Sequence, residues 1–112
     1  MSDRLPSGVL VSAMLRRVND GGGFGVVLAR GDDQAGAILV LAVERGGPAR
    51  FVERGIGPDG RAGLVNAGPV GADRAVLDTY WHKRRAGDPD LWVIELDVVN
   101  AERFAAETIG DG

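Results

Sequence analysis

The chain has 112 residues, a formal net charge of -3 and a pI near 5.0, so it has no long-range attraction for the phosphate backbone of nucleic acid. It contains no cysteine and one histidine, which excludes thiol catalysis and cysteine-based metal sites. The longest apolar run, residues 8–15, is too short to cross a bilayer, and we expect a cytoplasmic protein with no membrane contact.

The first predicted element is an amphipathic helix that follows Ser7. Its apolar residues recur at helical spacing, and polar residues occupy the opposite face. Ser7 is the predicted N-cap, and the run Gly21-Gly22-Gly23 is predicted to end the helix, because glycine readily adopts the left-handed conformation of helix C-termini. These glycines lead out of a helix into a strand, so they do not predict a phosphate-binding loop.

Four strands are predicted next, separated by turns rich in glycine, proline and aspartate. They cover residues 24–30, 37–45, 50–56 and 61–66. Strands joined in series by short turns favour an antiparallel meander. The second strand has aliphatic side chains on both of its faces, which predicts a central position with both faces covered.

A second helix is predicted from about Asp73, and its basic end, residues 82–85, complements the helix dipole. The last strand, residues 91–98, places Trp92 on its core side. The predicted fold class is α+β: a mostly antiparallel five-stranded sheet with two helices on one face, in the order αββββαβ. We expect a single domain over residues 1–112, with residues 99–112 as a docked or frayed tail.

Several stretches carry a family likeness. They are Leu15-Arg16-Arg17, Arg30-Gly31-Asp32, Ala35-Gly36-Ala37, Arg84 and the block Asp88-Pro89-Asp90-Leu91-Trp92-Val93-Ile94-Glu95. In these residues the chain resembles a small bacterial family of uncharacterised proteins, domain of unknown function 1491, from about Val11 to Asp97. Because that family is uncharacterised, the resemblance implies no activity and no cofactor.

The candidate site is a polar rim at one end of the sheet. In a meander, the loops after the first and third strands share that end, and the second helix is long enough to return to it. The rim residues are Arg30, Asp32, Asp33, Asp59, Arg84, Asp88 and Asp90, with Arg61 and Arg85 beside them. Clustered carboxylates can hold a divalent cation or act as general acid and base, but aspartate is also a common turn residue that pairs with nearby arginines. Ordinary ion pairs are the simpler interpretation, so neither a metal site nor a cofactor is predicted.

Arg84 is singled out because it continues the apolar stripe of the second helix. A partly buried guanidinium needs a carboxylate, which we expect from the loop 31–36 or the turn 88–90. Such a pair would clamp the helix end; the alternative is that Arg84 captures an anionic ligand. His82 follows Asp78 by four residues on the polar face, which predicts an exposed, structural position.

Two helices on one face leave the other face of the sheet open. A second copy of the chain is expected to cover it, which predicts a homodimer. The predicted function is a small non-enzymatic binding or accessory module whose partner is another protein or a small anionic ligand. The alternatives are a small metal-dependent hydrolase that uses the aspartate/arginine rim and, from the basic run 82–85, a nucleic-acid-associated protein.

Overall fold

The structure is a computed structural model that describes residues 5–110. The helices are α1 (Ser7–Asp20), α2 (Arg74–Gly87) and α3 (Ala101–Ala105), and α3 continues into a π-helical turn (Ala106–Gly110). The strands are β1 (Phe24–Ala29), β2 (Ile38–Val43), β3 (Ala49–Ile56), β4 (Ala62–Ala67) and β5 (Trp92–Asp97). The α+β class and the order αββββαβ are confirmed, and α3 is added after the last strand.

The strands form one mixed sheet in the order β1-β5-β2-β3-β4. β5 lies between β1 and β2, antiparallel to β1 and parallel to β2, whereas the other neighbours are antiparallel. The predicted meander therefore holds for β2 to β4 and is wrong for β1, whose neighbour is β5. β2, at the centre of the sheet, is apolar on both faces, and every one of its residues is buried.

The helices cover both faces of this sheet, which differs from the predicted placement on one face. α1, α3 and the π-helical turn pack on one side in a cluster that includes Met14, Ile94 and Ile109. α2 covers the other side, where Leu77 packs in a cluster with Phe51. Because β2 is apolar on both sides, each side requires a cover, and α2 provides the cover that we had expected from a second copy of the chain.

Backbone groups cap α1 at both ends. The N–H groups of Ser7 and Gly8 donate to carbonyl oxygens of the loop 31–36 at 3.2 and 2.9 Å, and the Ser7 hydroxyl donates to another carbonyl of that loop at 2.6 Å. Ser7 is thus the first residue of the helix, and the predicted N-cap role is wrong. At the other end Gly22 has φ 83° and the Gly23 N–H donates to a carbonyl of the last turn at 2.9 Å, which is the predicted glycine cap.

Residues 101–110 dock onto the α1 side of the sheet. Ala101, Ala105 and Ile109 are buried there. An ion pair between Arg50 of β3 and Glu102 ties α3 to the sheet. This docked segment forms one wall of a groove at the end of the sheet where β2 and β5 end.

Candidate functional site

The loops of the predicted rim do lie at one end of the sheet, since β1 and β3 end where β2, β4 and β5 begin. The Asp32 N–H donates to the Asp90 carbonyl at 3.0 Å. Arg30 forms an ion pair with Asp33 at 3.0 Å, and the Arg85 guanidinium donates to the Arg30 carbonyl at 2.7 Å. These contacts bring together four of the expected rim residues, Arg30, Asp32, Asp33 and Asp90, with Arg85 beside them.

The aspartate side chains of this rim bond to their own turns. Asp32 accepts the N–H groups two and three residues later at 3.1 and 2.9 Å. Asp59 and Asp88 each accept the N–H two residues later, at 3.0 and 3.2 Å. Within residues 5–110, Asp59 has no bond to the other rim residues, and no group of three or more His, Cys, Asp or Glu side chains is placed to hold a metal ion. The aspartates therefore shape the loops, as turn residues do.

Trp92 holds the rim loop to the core. Its side chain is 2% exposed, and its indole Nε1–H donates to the Asp32 carbonyl at 2.8 Å. The Arg30 guanidinium lies over the ring, 5.2 Å from its centroid. The predicted core position of Trp92 is confirmed, and the hydrogen bond explains how a buried indole is satisfied.

Arg84 is partly buried as expected, but its carboxylate partner is Glu53 of β3, and the prediction of an aspartate partner is wrong. Arg84 Nη1 lies 2.8 Å from Glu53 Oε2 and 3.2 Å from the Tyr80 hydroxyl. The bond to Glu53 raises the pKa of Arg84, the Tyr80 bond adds to it, and burial opposes both. The partner differs because α2 crosses the face of β3, so Arg84 meets a strand residue before it reaches the loops. Arg84 thus clamps α2 to the sheet.

His82 is exposed at the surface of α2, as predicted. Its Nδ1 lies 2.7 Å from the Asp78 carbonyl oxygen, and its ring stacks on Trp81 with centroids 3.6 Å apart. Nearby, Arg74 pairs with Glu95 of β5, and this bond raises the pKa of Arg74. His82 is therefore fixed by its own helix. The ion pair between Arg74 and Glu95 is a second clamp between α2 and the sheet, in addition to that of Arg84.

A groove that no sequence pattern predicts lies at the opposite end of the sheet, with a volume of about 780 Å³. The end of α1, the β2–β3 turn and the connection from β5 into α3 surround it. We call it the arginine groove, and its principal side chains are Arg17, Phe24, Arg45, Arg103, Phe104 and Glu107. No local motif marks it, because its residues come from three separate parts of the chain: Arg17 and Phe24, then Arg45, then Arg103, Phe104 and Glu107.

Arg45 stands in an unusual backbone conformation at the tip of the β2–β3 turn. Arg45 and Gly46 have φ values of 51° and 76°, and the Gly47 N–H donates to the Glu44 carbonyl at 3.0 Å. This is the geometry of a type I′ turn, whose first central position is usually asparagine, aspartate or glycine. A left-handed conformation costs most other residues on the order of 1 kcal/mol. The arginine is therefore held at some cost in stability.

Asn100, on the same groove, is the other non-glycine residue of positive φ within residues 5–110, at 59°. Two carboxylates lock these segments together. The Gly46 N–H donates to Asp97 Oδ1 at 3.0 Å, and the Asn100 N–H donates to Glu44 Oε1 at 2.5 Å. One bond runs from the β2–β3 turn to the end of β5, and the other runs from the start of α3 to the β2–β3 turn. Together they give the groove a fixed shape.

The charged side chains of the groove are three arginines and two acids, Asp97 and Glu107. Arg17 and Arg103 both pair with Glu107, and Asp97 is bonded to the turn backbone. Arg45 is exposed and forms no ion pair with any residue from 5 to 110. The groove is therefore a local positive site on a chain of net negative charge.

A family model described as a protein of unknown function, DUF1491, matches residues 5–106. The chain belongs to the DUF1491 family. This confirms the resemblance noted in the sequence. The matched region contains the whole rim and most of the arginine groove, so both are set within the DUF1491 fold.

Solved structures agree with this assignment. A crystal structure of a DUF1491 family protein from Caulobacter crescentus CB15 is 34% identical, with a TM-score of 0.77 over 89% of this chain and 94% of that chain. An NMR structure of a DUF1491 family protein from the same organism has 34% identity and a TM-score of 0.74 over 92% and 94% of the two chains. A solution structure of a protein from A. tumefaciens is 26% identical, with a TM-score of 0.74 over 97% of each chain. No curated protein matches this chain.

Proposed function

We propose that this DUF1491 protein is a non-enzymatic binding module that acts as a homodimer in the cytoplasm. The non-enzymatic role is supported by the rim, where Asp32, Asp59 and Asp88 accept bonds from their own turns, and by His82, which is fixed by its own helix. In the part of the chain from residue 5 to 110, no helix has the length and apolar character needed to cross a membrane.

The observation that carries the dimer is the outer edge of β1. This strand ends the sheet on one side, and its six residues include no charge and no proline. Val26 and Val27, on opposite faces of β1, are 36% and 38% exposed. Edge strands are ordinarily protected from pairing by charged residues, proline or an irregularity. Of these protections β1 has only an irregularity between Val27 and Ala29, and residues 24–27 keep a regular register with β5.

A second copy of the chain is the partner that fits this edge. A second β1, placed antiparallel across a two-fold axis, meets no charge on the strand, and its backbone groups complete the hydrogen bonds of both edges. β4, at the other edge, also has no charge and no proline, but the docked C-terminal segment packs against it at Leu64. β1 is therefore the edge through which two copies extend the sheet.

Light scattering at micromolar concentration tests the dimer, and we expect twice the mass of the chain. Val26→Lys places a lysine opposite Glu95 in the register of one chain, which a monomer tolerates, but it puts a like charge on each of the two β1 strands that would pair. This variant should therefore be monomeric. Val70→Lys is the control, because Val70 is 70% exposed and lies outside the sheet. A monomeric wild type would overturn the dimer, and equal dissociation of both variants would overturn β1 as its interface.

A further inference from the structure

We propose that the arginine groove binds a small molecule in which a phosphate or carboxylate group is attached to a flat apolar ring. The inference rests on the proposed binding role and names its class of ligand, but it does not depend on the dimer. The volume of about 780 Å³ lies within the range of roughly 300–1,000 Å³ that is typical of small-molecule sites.

The guanidinium groups supply the site for the anion. Arg45 is exposed and has no ion pair in the described chain, so all its donors are available. Arg17 gives Glu107 a bond from Nη2 and Arg103 gives it one from Nε, which leaves most of their five N–H donors free. Their side chains are 47% and 73% exposed, so an incoming anion can reach them. Guanidinium groups recognise phosphate and carboxylate through paired hydrogen bonds.

Two aromatic rings supply the apolar part of the site. Phe24 is 63% exposed although it lines the groove. Phe104 is packed so closely on the helix end that a Cβ at Gly21 would lie 2.9 Å from its Cζ, and its ring is therefore held in place. An aromatic ring next to the anionic group can stack on such surfaces, which free inorganic phosphate cannot do.

The backbone at Arg45 supports a binding role for its side chain. A non-glycine residue of positive φ is costly, and such residues are concentrated at ligand sites. Asparagine would fit this turn with less strain, yet the position carries the one arginine of the groove that no acid neutralises in residues 5–110. The cost is explained if the guanidinium binds a ligand.

Calorimetric titration with phenyl phosphate, benzoate and inorganic phosphate tests the proposal. We expect phenyl phosphate to bind the wild type more tightly than inorganic phosphate does, and the comparison with benzoate decides which anionic group the site prefers. Arg45→Asn keeps the turn geometry and removes the charge, and it should raise the Kd about tenfold. Arg61→Asn is the matched control, because Arg61 is exposed in the hairpin turn at the other end of the sheet.

The site would be overturned if the wild-type protein bound neither phenyl phosphate nor benzoate. It would also be overturned if the Arg45→Asn and Arg61→Asn variants bound phenyl phosphate with equal affinity. Different results would overturn the proposed function. Release of phenol from phenyl phosphate would overturn the non-enzymatic role while the weaker binding of Arg45→Asn still located the site. A monomer in light scattering would overturn the dimer alone.

Discussion

The two ends of the sheet differ in what their charged side chains contribute to stability. At the rim, Asp32, Asp59 and Asp88 bond to backbone N–H groups of their own turns and stabilise those turns. At the arginine groove, Arg45 occupies a left-handed position that costs stability, and two carboxylates hold the walls around it. A high density of charged residues in the sequence therefore marks turn structure here, whereas the three arginines of the groove come from three distant segments.

The largest effect is expected at the rim, where Trp92 joins the loop to the core. Trp92→Ala removes a side chain that is 2% exposed and also leaves the Asp32 carbonyl without its indole donor. The free energy of unfolding should fall by about 3–5 kcal/mol, measured by urea denaturation. Trp92→Phe keeps a ring and loses the hydrogen bond, so it should cost about 1–2 kcal/mol. A midpoint of Trp92→Ala close to that of the wild type would show that the rim loop is held by other contacts.

A smaller effect is expected where α2 is clamped to the sheet. Arg84→Met leaves Glu53 without its partner, and because the two side chains are only 28% and 24% exposed, the cost should be about 1–2 kcal/mol. Arg85→Met, the neighbouring control, removes one bond to a backbone carbonyl from a half-buried arginine that has no carboxylate partner in residues 5–110, and it should cost less. Adding Glu53→Gln to Arg84→Met should recover part of the loss, because the unpaired charge is removed. Equal midpoints for Arg84→Met and Arg85→Met would contradict the clamp.

The elements could be predicted because their signals are local. The alternation around Trp92 and the helical stripe that includes Leu77 each lie within one segment, and their burial agrees with the prediction. The place of β5 between β1 and β2 could not be predicted, because strand pairing between distant segments has no local pattern. The same reason explains Arg84: the sequence indicated a partly buried arginine, but its partner depended on which strand α2 crosses.

The two candidate sites differ in the same respect. The loops of the rim could be placed at one end of the sheet, because strand directions along the chain alternate whether or not β1 is next to β2. The arginine groove could not be predicted, because it depends on where the C-terminal segment docks and on the φ of Arg45, and no local pattern gives either of these. The one available hint is an arginine before Gly46, where a tight hairpin turn favours asparagine.

The smallest expected effects are changes in the free energy of unfolding that have opposite signs at the two ends of the sheet. Arg45→Asn places in the type I′ turn a residue that tolerates positive φ, so it should raise the free energy of unfolding by about 0.5–1 kcal/mol. Asp32→Ala, at the rim, removes the acceptor for two loop N–H groups and should lower it by about 1 kcal/mol. Urea denaturation of both variants under one set of conditions makes the measurement. If Arg45→Asn is less stable than the wild type, the arginine side chain stabilises its own turn, as the rim aspartates do. If it is more stable, the groove retains a residue that stability alone does not favour, as a binding site does.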